Sequence, residues 1–236
     1  MNTLFIINKE VSDVFNKANI FSFVLFAISI FVCPPYDKIL LKIDNFIGII
    51  APMILIILFS NTLNKEFEFS TYKYLYTGRL TRSSIVFIKF LSVIIISIIL
   101  SFFCSFLSTI GLFFDSKEVN IYLAFHYMFN KALIFICFTF FVAPIAFFIS
   151  IISRSLIYTL LILFIMFIDI FNRILILVAN EIKIEFLKNI LNEVPFFKAV
   201  EGFKTYNYTL KTSVIMICIG IVVLFIDAFM IERKDL

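Results

Sequence analysis

The chain carries stretches that are too long and too apolar for a soluble fold to cover. Residues 90–114 contain no charged side chain, and neither do residues 132–153. A helix crosses the hydrocarbon core of a bilayer with about 20 mostly apolar residues, at about 1.5 Å per residue. Both stretches meet that length. Membrane-spanning barrels need alternating strands of about ten residues, and these runs are uniformly apolar. The constraint is therefore an all-α membrane protein.

Composition agrees. Hydrophobic residues make up 62% of the 236 residues and charged residues 15%. A soluble domain is roughly 45–50% apolar and about 25% charged. Soluble enzyme, nucleic-acid binder and disordered chain are excluded as main readings. The net charge of +4 is what a membrane protein gains by keeping Lys and Arg on its cytoplasmic side. It gives no reason to expect nucleic acid as a partner. The 34 Phe and absence of Trp, with abundant Ile, Lys and Asn, suggest an AT-rich genome. Cys33, Cys104, Cys137 and Cys218 form no CxxC pair and read as small apolar residues in helices.

The pattern predicts six transmembrane helices, at about 18–36, 45–63, 88–114, 131–152, 155–172 and 212–231. Pro52 and Pro144 fall inside the second and fourth as kinks. Only Ser153-Arg154-Ser155 separates the fourth from the fifth. Residues 1–19 lack the basic start and cleavage site of a signal peptide. Leu4, Ile7, Val11, Val14, Phe15 and Ala18 recur there at helical spacing, opposite Asn8, Lys9, Ser12, Asp13, Asn16 and Lys17. That predicts an N-terminal amphipathic interfacial helix. Six spans put both termini on one side. The basic residues nearest the span ends favour the cytoplasm for both, so the expected location is a bacterial cytoplasmic membrane, multi-pass. The whole chain, 1–236, reads as a single transmembrane domain.

Between the second and third spans, 64–89 is the densest mixture of charge and aromatic residues. Glu66 and Glu68 precede Lys73, Arg79, Arg82 and Lys89, an order that suits a short helix with its dipole. Phe67, Phe69, Tyr72, Tyr76 and Leu80 supply an apolar side. Such a segment suits docking to a soluble partner at the membrane surface; a solvated basic loop is the plainer alternative. The outer connection 173–211 places Ile182, Phe186, Ile190, Leu191 and Val194 on one helical face. Pro195 ends that pattern, and Phe196, Phe197, Val200 and Phe203 continue the apolar theme. A helical extracellular connection between helices 5 and 6 follows.

The residues Glu66-x-Glu68-x-Ser70-Thr71, then Thr81-Arg82, then Lys89 resemble the type-2 ABC transporter permease family. Members show an acid, any residue, then Gly-Thr in this loop, followed by a Pro-x-Ser-Arg turn and a Lys opening the next helix. Ser70 stands here where Gly is usual, and Arg79 where Pro is usual. The six-span layout with an amphipathic N-terminal helix is similar throughout. The resemblance implies that 64–89 is a cytoplasmic coupling loop docking on a separate ATP-binding cassette ATPase subunit. Glu66, Glu68, Thr71, Lys73, Arg82 and Lys89 are its coupling residues. Glu68 and Arg82 would pair across the interface, and Lys89 would anchor the helix end at the headgroups. It implies short helices in 173–211 that close the exit, with Phe186, Ile190, Phe196 and Phe197 as the possible gate.

The partners implied are that ATPase, a second permease copy or paralogue, membrane lipid and an amphipathic peptide cargo. ATP and Mg would be bound by the ATPase, and no cofactor or metal is expected in this chain. No G-x-x-x-x-G-K phosphate loop occurs, so the chain itself is not expected to be an enzyme. Permeases of this kind from AT-rich Gram-positive bacteria often export membrane-active peptides or confer immunity to them. Lantibiotics, bacteriocins and phenol-soluble modulins are the cargo the resemblance suggests, with a drug or lipid as another. The alternative is a non-transporting immunity or structural subunit.

Three other features were weighed. The hydroxyls Ser97, Ser101, Ser105, Ser108 and Thr109 line a path or satisfy their own helices, and the second reading is preferred. Asp169 and Asp227 are intramembrane acids near span ends, explained by snorkelling or by pairing with Arg173 and Arg233. His126 is the only histidine. A Ser/His dyad within the membrane and a two-His metal site are therefore not expected.

Overall fold

Within a bilayer every backbone polar group must be satisfied inside its own segment, so apolar runs of this length become helices. The computed structural model describes residues 3–14, 39–68, 81–116, 121–167 and 195–233. Among the described residues there are seven helices and no strand. They are α1 (Thr3–Val14), α2 (Ile39–Glu68), α3 (Arg82–Ser116), α4 (Ile121–Ser153), α5 (Leu156–Phe167), α6 (Pro195–Thr205) and α7 (Leu210–Arg233). Four are long and apolar enough to cross a membrane: Ile43–Phe67, Arg82–Asp115, Ala124–Ser153 and Leu210–Arg233. These correspond to the second, third, fourth and sixth expected spans. The first, 18–36, lies outside the described residues. Of the fifth, the described part is the 12-residue α5, which at about 1.5 Å per residue is shorter than a bilayer core.

Each helix end has a local cause. Thr81 caps α3: the Ser84 amide donates to its Oγ1 at 3.4 Å, and the two hydroxyls are 2.6 Å apart. Thr209 does the same for α7, taking the Thr212 amide at 3.3 Å. Both leave the first turn with a side-chain acceptor where no intrahelical one exists. α4 stops because Arg154 turns left-handed, at φ 51°, and its amide returns to the Ser150 carbonyl at 2.9 Å. α6 ends in the longer version of that cap. Tyr206 is at φ 50°, Asn207 N–H reaches Gly202 O at 3.0 Å and Tyr206 N–H reaches Phe203 O at 3.4 Å. The Tyr208 ring then folds onto Gly202, where a Cβ would overlap it.

α3 runs against α2, α4 and α7, which are parallel to one another, and the bundle has two distinguishable ends. α3 packs on α2 and α4, α7 packs on α4 and α3, and α5 and α6 fit against α2 and α4. At one end the starts of α2 and α4 meet the end of α3. There the Leu40 amide donates to Asp115 Oδ2 at 2.9 Å. At the other, the start of α3 meets the end of α7, and Ser83 donates to Glu232 at 2.6 Å. The core is rich in phenylalanine: Phe59, Phe135, Phe138, Phe141, Phe147 and Phe203 are fully buried. Outward faces are apolar too, including Phe102, Phe106, Phe225 and Phe229. That suits a lipid solvent, in which exposed apolar surface carries no penalty.

Closest approach occurs between α4 and α7. A Cβ on Gly220 would overlap the carbonyl oxygen of Phe140. Pro144, four residues on from Phe140, has no N–H, so that carbonyl lacks its normal intrahelical donor. The glycine backbone of α7 stands against it. Pro52 and Gly48 repeat the relation in α2. The position a Cβ would take on Gly48 is 3.2 Å from Lys204 Cα of α6. Each proline thus lies one turn beyond a tight helix contact.

Candidate functional site

Lys89 of α3 is 1% exposed. Its ammonium donates to Glu66 Oε1 of α2 at 2.7 Å and also to Glu10 Oε1 of α1. One buried cation therefore holds three helices. α1 is laid along α3 by Ile6 and Ile7, which bury against Ile88, with Val11 and Ile95 at the margin. Glu10 shares that face at helical spacing from Ile6 and Ile7, so docking delivers its carboxylate to Lys89. Glu66 is in the last turn of α2. Two carboxylates share one ammonium. Each carboxylate keeps some contact with solvent, at 15% exposure.

Lys89 is buried two turns into α3 and paired with Glu10 and Glu66. Arg82 is half-buried at the first position of α3, and Glu68 is the last residue of α2. Thr71 and Lys73 lie outside the described residues. The structure thus brings Glu66 and Lys89 together and places Glu68 and Arg82 at the two ends of the 69–80 connection. α1 is seated on α3 through Ile6 and Ile7, while Leu4 is exposed.

Beside the junction, Asn64 joins α2 to the α4–α5 break. Its Nδ2 lies 2.9 Å from Ser150 Oγ, 3.1 Å from Thr159 Oγ1 and 2.9 Å from Ser60 O. Ser153 Oγ is 2.9 Å from Thr159 Oγ1. The short break between α4 and α5 is thereby tied to the same end of α2 that carries Glu66.

The opposite end has a second buried lysine. Lys131 is 2% exposed. It donates to Asp44 Oδ1 at 2.6 Å and to Ser108 Oγ, and lies 4.4 Å from the centre of the Tyr206 ring. The Ser108 hydroxyl in turn donates a hydrogen bond to Asp44 Oδ1 at 2.7 Å. Tyr206 donates to the Asp44 carbonyl at 3.2 Å, and Tyr208 donates to the Ala199 carbonyl at 2.6 Å. Burial, chiefly, pushes both phenols well above their ordinary range, so they act there as neutral donors. The signal in the sequence was Asp44 and Lys131, each one turn inside an apolar run.

Of the gate residues, Phe186 and Ile190 lie outside the described residues. Phe196 is placed against Phe141 of α4 at 5.2 Å and Phe167 of α5 at 5.5 Å. Phe203 stacks against Phe135 and Phe138, each at 4.8 Å. Phe197 is half-buried. Pro195 opens this helix rather than merely ending the previous pattern, since its missing N–H costs nothing at a first position. α6 is consequently wedged among α2, α4 and α5, part-way down α4.

The α3 hydroxyls serve their own helix. Ser92, Ser101, Ser105 and Thr109 donate to carbonyls three or four residues back, at 2.7–3.0 Å. Ser97 donates to Phe135 O at 3.3 Å, and Thr139 donates to Ser97 at 2.7 Å. They fasten α3 to itself and to α4. Arg233 does not pair with Asp227; it lies over the Phe229 ring at 4.2 Å. Asp169 is outside the described residues. Among the described residues no group of three His, Cys, Asp or Glu could hold a metal.

Neither a family model nor a curated protein matches this chain.

Proposed function

We propose that this chain is the membrane-spanning subunit of an ABC exporter. It has six spans, and both termini and the 69–80 connection lie in the cytoplasm. A separate ATP-binding cassette subunit docks on that connection and supplies the energy. A second copy or a relative completes the path, and the cargo is hydrophobic or amphipathic, a membrane-active peptide by preference. The observation that carries this reading is the Lys89 junction. The last turn of α2 and the start of α3 are the two ends of the 69–80 connection. One buried ammonium binds both to α1, so force applied to the connection reaches three helices at once. Discrete repacking of such a unit is how packed helices transmit motion.

The cargo class rests on the walls. With the α3 hydroxyls engaged and the outward faces apolar, these helices offer an apolar molecule more than an ion. α6, wedged among α4 and α5 by Phe196 and Phe203, is the element placed to close the far end.

Sidedness tests the arrangement directly. In a version with Cys33, Cys104, Cys137 and Cys218 replaced, single cysteines are introduced as Thr77→Cys and Asn207→Cys. A membrane-impermeant maleimide added to intact cells should label Asn207→Cys and leave Thr77→Cys untouched until the cells are opened. Labelling of Thr77→Cys from outside would put the connection where no ATPase can reach it.

A further inference from the structure

The buried residues of α7 are Met216, Gly220, Leu224, Asp227, Ala228 and Ile231. They repeat every three or four positions and form one packed seam. Asp227 is the only ionisable member. Its side chain is 0% exposed, and neither carboxylate oxygen has a hydrogen-bond partner. An ionised carboxylate without a partner is costly in such a place.

Among the described residues, the elements packed on α7 offer Asp227 no counter-charge. α4 has no charged residue between Lys131 and Arg154, and its Cys137 sits beside Ser213 near the start of α7. On α3, Lys89 is held by Glu10 and Glu66, and Arg82 is in the first turn. On α7 itself, Glu232 accepts from Ser83 and Arg233 lies over Phe229; Lys211 is in its first turn. α6 carries Lys198, Glu201 and Lys204 at the end where α7 begins.

We propose that Asp227 is a proton-binding site, neutral while α7 is seated against α3 and α4, and that loss of its proton weakens that seat. α7 is suited to such control because, among the described residues, it is packed on one side only. Val222, Phe225, Ile226 and Phe229 on its other side are exposed. A negative charge in the single seam therefore acts on the whole helix. The proposal does not depend on the exporter reading.

The sign follows from linkage. Above the ordinary carboxyl range the unfolded chain has released this proton and the folded one keeps it. Folding then takes up a proton, and stability falls as pH rises. The limit for one group is about a tenfold change in the unfolding equilibrium per pH unit. The experiment compares unfolding of the full chain and Asp227→Asn in lipid nanodiscs from pH 5.5 to 8.5. Every other titratable group is common to both. The unmodified chain should lose stability across the range more steeply than Asp227→Asn, with a slope difference approaching that limit. Equal slopes would overturn the proposal. If Asp227→Asn does not fold, dicyclohexylcarbodiimide, which attacks neutral carboxyls in apolar surroundings, is applied to the unmodified chain. Mass mapping should find the adduct on Asp227 at pH 6 and less of it as pH rises. An intact protein with no adduct there at pH 6 would equally overturn it.

Discussion

Lys89→Met should destabilise the protein by about 3 kcal/mol, the lower end of the range for breaking a buried ion pair. Methionine is similar in length and apolar, so the loss is chiefly electrostatic. Glu10 and Glu66, drawn together by the ammonium, would both lose it. Their 15% exposure lets some water in, which is why the lower end applies. Glu10→Gln should cost much less, about 1 kcal/mol, because Lys89 keeps Glu66. Adding Glu10→Gln and Glu66→Gln to Lys89→Met should recover a large part of the loss. Detergent-micelle unfolding of the series measures this. A Lys89→Met protein as stable as the parent would mean that the two carboxylates do not depend on the lysine.

Gly220→Val should have an effect of the same order, by a steric route. Even the first carbon of a side chain would overlap the Phe140 carbonyl oxygen. Because that atom is backbone, α4 and α7 must move apart. Overpacking costs typically 1–3 kcal/mol and occasionally more, and in a bilayer close backbone approach is a main source of helix affinity. Gly220→Ala should already show part of the loss. Separation also uncovers Cys137, so maleimide labelling mapped by mass should rise at that residue while exposed Cys218 stays as reactive as before. Unchanged stability and labelling in Gly220→Val would contradict the close α4–α7 contact.

Four of the six expected spans were legible because apolar runs have one solution in lipid, yet their ends were not. Residues 45–63 were expected where α2 runs Ile39–Glu68, and 88–114 where α3 runs Arg82–Ser116. Hydropathy stops at the first polar residue. The helix continues through Asn64, Lys65 and Glu66 because their side chains find partners or solvent, and it starts at Arg82 because Thr81 caps it. The roles of charged residues were least legible. A sequence does not show that Asp44 will arrive at Lys131, or Glu10 at Lys89, from another helix. Glu10 did leave a sign, as an acid on the same face as Ile6 and Ile7. Arg233 was paired with Asp227 on proximity in sequence. Their separation of six residues is neither three nor four, so the two side chains do not share a position on the helix surface. Pro195 was taken as a terminator, although proline also suits a first helical position.

The central claim is that an ATPase docks on the 69–80 connection and that the Lys89 junction receives its motion. The most direct test is purification of the chain from its native membrane in a gentle detergent, with mass identification of what remains bound. The expected result is a soluble ATP-binding cassette subunit in a stoichiometric amount, lost when Glu68→Lys and Arg82→Glu are introduced while the chain stays in the membrane. A chain recovered without any ATPase, under conditions that keep known transporter complexes intact, would contradict the exporter reading and favour a membrane subunit that binds a peptide without moving it.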